Sequence, residues 1–332
     1  MDSIGKLTIS SNRLSIVIPS ARAFPRKLVE QLLEQIIEGE EILVIQNLPT
    51  ECQKRWAGLN TQVNKTNTLV LSTDIGAPVR VLKGQIDQGA AAARNLGWRS
   101  SRNEDILFLD DDIKVKPDFL SAVRKVTCAS PCSISTFRII STYTTTWSKI
   151  VGETLSLDRG PAIISSKNQN LKIENVWMFG TAAAMLASKA VLQATGGFKD
   201  LLGAGCVNGG TEDAEFIWHA SRHTNIQYYG SISVFHDEAT KFLVLSRKMM
   251  EYGRAIANLA GLVGGLDGRN YVVEYCNHLE KILRKTEISL LSTKQKSLLR
   301  RNVSSAIIET RKVYAESLKK MNSSSILCDG CR

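Results

Sequence analysis

The chain has 332 residues, 43% of them hydrophobic and 22% charged, with a formal net charge of +10. That composition is ordinary for a globular protein and excludes disordered and collagen-like classes; no run approaches the roughly 20 apolar residues needed to span a bilayer. The positive excess favours anionic partners: nucleotide phosphates, nucleic acid or anionic lipid headgroups.

Residues 1–12 read as a polar lead-in. Leu14 to Ile18 is β-rich and stops at Pro19-Ser20, so it predicts a first strand. Phe24 to Ile37 carries Leu28, Leu32, Leu33, Ile36 and Ile37 at helical spacing, closed by Gly39. Glu41 to Ile45 predicts a second strand, followed by Gln46-Asn47; residues 48–78 read as irregular, and Val79 to Leu82 as a third strand. An alanine-rich helix follows over Ala90 to Trp98. The next strand, Ile106 to Leu109, is a continuous apolar run of the kind buried on both faces of a parallel sheet. Pro117 opens another helix bearing Phe119, Leu120 and Val123. This alternation predicts an α/β fold with a doubly wound, mixed or parallel sheet flanked by helices.

Residues 133–175 contain β-rich pieces, Ser133 to Ser141 and Pro161 to Ser165, and show no helical period. Ser188 to Ala194 reads as a short helix closed by Gly196-Gly197, and the glycines at 203, 205, 209 and 210 mark a loop ending in Thr211-Glu212-Asp213. Ala214 to Arg222 predicts a helix with Phe216, Ile217 and Ala220 inward; Tyr228 to Phe235 predicts a strand that ends at His236. Helical spacing dominates the rest, including Phe242 to Leu262 and Asn277 to Leu291. The expected organisation is an α/β domain over 13–240, a helical extension over 241–320 and a flexible tail over 321–332. Basic residues after position 280 read as the solvated face of these helices. Seven scattered cysteines, with one Cys-x-x-Cys pair at Cys328 and Cys331, fit a reduced cytoplasmic protein better than a four-ligand zinc site.

The chemistry concentrates at Asp110-Asp111-Asp112, directly after the apolar run. The carboxyl ends of strands are where open α/β sheets bind ligands. Three adjacent carboxylates repel one another, and a hard divalent ion would relieve the conflict; a solvated acidic turn before Pro117 is the alternative. If the segment is extended, Asp110 and Asp112 share a face and Asp111 points elsewhere.

Taken in order, Ser15-Ile16-Val17-Ile18-Pro19, Gly89 with Ala93-Arg94-Asn95-Leu96-Gly97, Phe108 to Asp112, Gly196-Gly197-Phe198, Thr211-Glu212-Asp213 and Tyr252-Gly253-Arg254 resemble a family 2 glycosyltransferase of the GT-A fold and non-processive type, over residues 13 to 255. The resemblance implies an inverting transfer of one sugar from a nucleotide-diphosphate sugar, a UDP-sugar by the usual assignment, to a saccharide or lipid-linked acceptor in polysaccharide or glycolipid assembly. It implies Mn²⁺ or Mg²⁺ as cofactor, with Asp112 and His236 as metal ligands. Asp213 takes the place of the catalytic base, and its N-terminal position on a helix would lower its pKa unless apolar neighbours such as Phe216 and Trp218 offset the dipole. Pro19, Asn47, Arg94, Asp110, Asp111 and Glu212 fall at substrate-binding places, Asp111 for a supporting hydrogen bond and Arg94 for the base or a phosphate. Asn47 stands where the family often has an aspartate, and Arg94 also reads as a helix-surface charge. The Gln-x-x-Arg-Trp motif of processive members is missing: the one Arg-Trp pair, Arg55-Trp56, lies far upstream of Asp213. The expected location is cytoplasmic, with the basic C-terminal helices able to rest on the inner face of an anionic membrane.

Two other classes deserve comparison. A nucleotidyltransferase needs a glycine-rich loop after its first strand, and Ser20-Ala21-Arg22-Ala23 has no glycine. A non-catalytic nucleic-acid-binding protein predicts aromatic residues interleaved with basic ones, and the basic C-terminal region has only Tyr314. Nucleic acid is therefore not an expected partner.

Overall fold

The computed structural model describes residues 13–21, 24–46, 61–63, 68–71, 79–84, 89–129, 134–155, 158–166, 171–202, 210–237 and 241–328. Eleven strands occur among them: β1 (Leu14–Ser20), β2 (Glu41–Gln46), β3 (Thr61–Val63), β4 (Thr68–Leu71), β5 (Val79–Lys83), β6 (Asp105–Leu109), β7 (Ile113–Val115), β8 (Ile134–Thr142), β9 (Ile163–Ser165), β10 (Ala184–Ser188) and β11 (Ile226–Asp237). The helices are α1 (Arg26–Leu33), α2 (Gly89–Ser100), α3 (Phe119–Ala129), α4 (Thr146–Leu155), α5 (Lys189–Thr195), α6 (Glu212–Ala220), α7 (Phe242–Val263), α8 (Gly265–Glu287) and α9 (Thr293–Cys328). All strands join one mixed sheet in the order β3-β4-β5-β2-β1-β6-β10-β8-β11-β7, with β9 also paired to β11. This is the helix-flanked α/β architecture that the strand–helix alternation predicts.

The parallel centre, β5-β2-β1-β6, is buried on both faces. Its apolar residues alternate between two cores because successive side chains of a strand point to opposite faces. Ile16, Ile18, Ile42, Val44, Leu107 and Leu109 meet α1 and α3 on one face. Val17, Leu43, Ile45, Ile106 and Phe108 meet α2 on the other, in a core that also takes in residues of α6, α7, α8 and α9. Close packing of α2 on β1 requires Gly97, where a Cβ would lie 2.3 Å from Val17 Cγ1. At the amino end of β2 two buried carboxylates tie the layers together. Glu40 accepts from Arg124 at 2.7 Å, and Glu41 accepts from Ser15 Oγ at 2.8 Å and Arg80 Nε at 3.0 Å.

Three local expectations change. Residues 48–78 are not wholly irregular: β3 and β4 form an antiparallel hairpin that extends the sheet beyond β5. These strands are only three and four residues long, too short to leave a periodic signal. Residues 133–175 do contain a helix, α4, which buries Ile150 and Val151. Its spacing of Trp147, Ile150, Val151 and Leu155 is helical, embedded among β-rich segments. The helix expected over Phe242 to Leu262 is α7, which stops before Gly264-Gly265, both at positive φ (+69° and +56°), but the next helix starts at Gly265 rather than at Asn277.

Candidate active site

Strand β6 does not run on through its carboxylates. Ile113 N–H donates to the Asp110 carbonyl at 3.3 Å, closing a turn that reverses the chain into β7. The extended-segment alternation therefore does not apply, and the three carboxylates diverge. Asp110 meets Arg94 Nη2 at 2.8 Å, Asp111 accepts from Ser20 Oγ at 2.7 Å, and Asp112 lies 3.5 Å from His236 Nε2. The last contact depends on topology: β11 pairs antiparallel with β7, which sets His236 opposite Ile113, the residue after Asp112.

Arg94, on α2, is not a helix-surface charge; it is 4% exposed. Its two terminal nitrogens hold Asp110 and, at 2.7 Å, Glu212 at the start of α6. Its Cζ sits 5.6 Å from the Phe198 ring centre, and its Nε is buried without a hydrogen-bond partner. Burial alone would lower the Arg94 pKa, but Asp110, Glu212 and Asp213 together outweigh it and hold the guanidinium above its ordinary value. The adjacent Asn95 organises the Gly196-Gly197-Phe198 turn: its Oδ1 accepts from Phe198 N–H at 3.0 Å and from Trp98 Nε1 at 3.0 Å, while Nδ2 donates to the Phe198 carbonyl at 2.7 Å.

Helix α6 begins at Glu212, with Gly210 at φ +107° and Thr211 at its N-cap. Asp213 is half-buried, and its Oδ1 accepts from Ala214 N–H at 2.8 Å. Burial pushes its carboxyl pKa up; the Glu212 charge adds to the rise, Arg94 opposes it, and the result is about 7. Helix-dipole stabilisation therefore loses to desolvation and a like charge. Phe216 is instead packed on Phe198, 4.6 Å between ring centres, and Trp218 is capped by Arg222.

Pro19, Arg94, Asp110, Asp111, Asp112, Glu212, Asp213 and His236 all line one cavity of about 1180 Å³. Asn47 lies outside the described residues. The cavity is also lined by Trp177 and by α8, of which the sequence pattern predicts only the part from Asn277. Trp177 stacks on Tyr271 of α8, 6.1 Å between centres, and Tyr275 and His278 follow on the same helix. Tyr271 is 1% exposed, its hydroxyl has no hydrogen-bond partner, and burial followed by the Asp213 charge raises its pKa.

Among the described residues, no group of three or more His, Cys, Asp or Glu is placed to hold a metal. The chemistry of the Asp112–His236 donor pair nonetheless fits a hard or borderline divalent ion. Such ions commonly take one or two protein ligands and complete their shell with substrate phosphates and water.

The model for glycosyl transferase family 2 matches residues 15–195. A curated Haemophilus influenzae protein named "Uncharacterized glycosyltransferase" is 30% identical over 120 residues, covering 36% of this chain and 35% of that one. The chain thus spans about a third of the length of the curated relative it matches. The crystal structure of S. aureus TarS 1–349 covers 93% of this chain and 91% of its own, at 14% identity and a TM-score of 0.45. Its complex with UDP-GlcNAc gives 93% and 92%, at 12% identity and 0.47.

Proposed function

The chain belongs to glycosyl transferase family 2, whose model takes in more than half of it, and on that premise we propose a metal-dependent, inverting transfer of one sugar from a nucleotide-diphosphate sugar. The observation that carries the reading is the raised pKa of Asp213 in the same cavity as Asp110, Asp112 and His236. A carboxylate whose pKa lies near the working pH is suited to accept a proton in a transition state and release it afterwards.

Asp110, Asp111 with its Ser20 hydrogen bond, and Pro19 form the nucleotide end of the cleft, with Arg94 and Glu212 holding Asp110 and the base helix together. Asp112 and His236 would hold Mn²⁺ or Mg²⁺, which when bound neutralises the charge gathering on the diphosphate. Asp213 takes the proton of an acceptor hydroxyl as that oxygen bonds to the sugar C1. The bond from C1 to the diphosphate oxygen breaks, and its electron pair leaves with the nucleoside diphosphate. Attack opposite the leaving group inverts the anomeric centre. Uridine is the base that the family resemblance implies, and a saccharide or lipid-linked acceptor in polysaccharide or glycolipid assembly is the corresponding setting.

The test is donor hydrolysis and donor binding across a panel of nucleotide sugars with Mn²⁺, Mg²⁺ or chelator. No binding and no turnover with any donor overturns the reading. Asp112→Ala is expected to weaken donor binding in Mn²⁺ by about tenfold or more, the scale of one lost charge-assisted contact. Binding in chelator should barely change; equal losses in both conditions would remove Asp112 from the metal.

No helix of the described residues is long and apolar enough to cross a membrane. A cytoplasmic protein whose basic C-terminal helices rest on an anionic membrane is the location we propose. Failure to sediment with anionic vesicles at low ionic strength removes the membrane from it.

A further inference from the structure

At about 1180 Å³ the cavity exceeds the usual size of a small-molecule pocket, and its lining carries both carboxylates and a group of cations. The floor carries Asp110, Asp111, Asp112, Glu212 and Asp213. Helix α8 lines the cavity with one stripe: Tyr271 near Asp213, then Tyr275, His278, Lys281, Arg284 and Lys285. These positions recur at three- and four-residue steps, so they occupy one helix face. From Tyr271 to Lys285 the helix rises about 21 Å at 1.5 Å per residue. Lys248 of α7 lines the same cavity. Among the described residues Lys248, Lys281 and Arg284 have no carboxylate partner, whereas Lys285 reaches Glu153 at 3.5 Å. Glu274 on the stripe faces His278, 3.5 Å away, and is separated from Lys281 by two helical turns. Outside the cavity, Arg254 of α7 pairs with Glu309 and Arg300 of α9 with Glu287.

Unpaired cations gathered at one end of a cleft cost repulsion unless an anion joins them. We propose that Lys248, Lys281, Arg284 and Lys285 form an anion subsite for an extended acceptor that carries phosphate groups on the order of 20 Å from the hydroxyl receiving the sugar. The inference rests on the reading of this cavity as a donor and acceptor cleft. The cation row holds the anionic continuation of the molecule whose hydroxyl meets Asp213. The ligand chemistry is a chain of phosphate oxyanions, which the ammonium and guanidinium groups meet by charge-assisted hydrogen bonds.

The probe is inorganic tripolyphosphate, titrated calorimetrically without metal into the full chain at 0.15 M salt, alone and with saturating UDP. The variant is K281Q/R284Q/K285Q. A control, K294Q/R301Q/K312Q, removes three exposed basic residues of α9 that do not line the cavity. Tripolyphosphate should bind in the presence of UDP, lose at least about tenfold in affinity in the α8 variant, and be unchanged in the control. UDP affinity should be the same in all three proteins. Three results overturn the subsite: no tripolyphosphate binding, competition between tripolyphosphate and UDP, or equal losses in variant and control. Absence of UDP binding with retained, α8-dependent tripolyphosphate binding sinks the donor reading and leaves the anion site standing. Both variants change exposed or half-buried side chains outside the core, and unchanged melting temperatures confirm that loss of binding is not loss of fold.

Discussion

Asp213→Asn is expected to lower the transfer rate by about 10²–10⁴-fold, the range for removing the general base proposed for this site, and to leave donor affinity unchanged. Asparagine keeps the size of the side chain and can still accept from Ala214 N–H through its carbonyl oxygen, so the start of α6 is preserved. What it cannot do is take the acceptor proton. The pH dependence gives a second readout. The base must be unprotonated, so the wild-type rate rises with pH through about 7 and levels above it, whereas residual activity of the variant lacks that step. The stability effect has the opposite sense. The carboxyl pKa in the folded chain is raised above its ordinary value of 3.8, so below about 4 both states hold the proton. As pH rises toward about 7 the unfolded chain has released it and the folded chain has not, and stability falls across that interval. Asparagine carries no such penalty. Its advantage in unfolding free energy should widen between about pH 4 and pH 7 and then hold, at about 2 kcal/mol for a half-buried group. A variant no more stable than wild type at pH 8 would contradict the burial of this charge.

Arg94→Met is expected to cost about 3–5 kcal/mol, because it removes one partner from a buried ion network and leaves the others uncompensated. Arg94 stands between Asp110 and Glu212, with Asp213 next in sequence to Glu212. Methionine fills similar space without charge, so the loss reports the carboxylates rather than a cavity. Lysine should rescue little: one ammonium cannot reproduce the fork that meets two carboxylates from different elements. Urea unfolding at pH 7.5 measures the cost, and a loss below about 1 kcal/mol would mean that the carboxylates find other compensation. A rigid structural brace would leave the pH profile of residual activity unmoved. Because Arg94 opposes the rise in the Asp213 pKa, its removal should instead shift that profile upward.

How much of this could be read from the chain alone follows from the range of the interactions. The apolar run into three carboxylates was legible because strand burial and the chemistry of the strand end are both local. So was the short helix that begins at Ser188 and closes at Gly196, which the structure holds in the left-handed region. The direction of each carboxylate was not legible. A turn hydrogen bond sets it, and the partners Arg94, Ser20 and His236 lie on three separate elements. Arg94 could be read as a surface charge because the alanine-rich sequence of α2 does not show which face β1 and Phe198 cover. The α8 wall was hidden for the same reason. Its stripe has the pattern of any amphipathic helix, and only tertiary packing turns Tyr271, Lys281 and Lys285 toward the cavity rather than solvent.

The pairing of β11 also has consequences for how the chain folds. Strands β7, β8 and β9 all take β11 as a neighbour, and in the β8 pair Ile226 lies beside Ile134 from roughly 90 residues earlier. The block β5-β2-β1-β6 can close as soon as its own residues are available, with β10 completing its edge. Until β11 arrives, β8 is a nine-residue strand with four consecutive buried residues, Ile134 to Phe137, and one unsatisfied edge. Such an edge is a template for pairing with another chain. The same pairing brings His236 to Asp112, so this contact in the cavity and the second edge of β8 are completed together. During synthesis, the interval between residues 142 and 226 is when this chain depends most on not meeting a copy of itself.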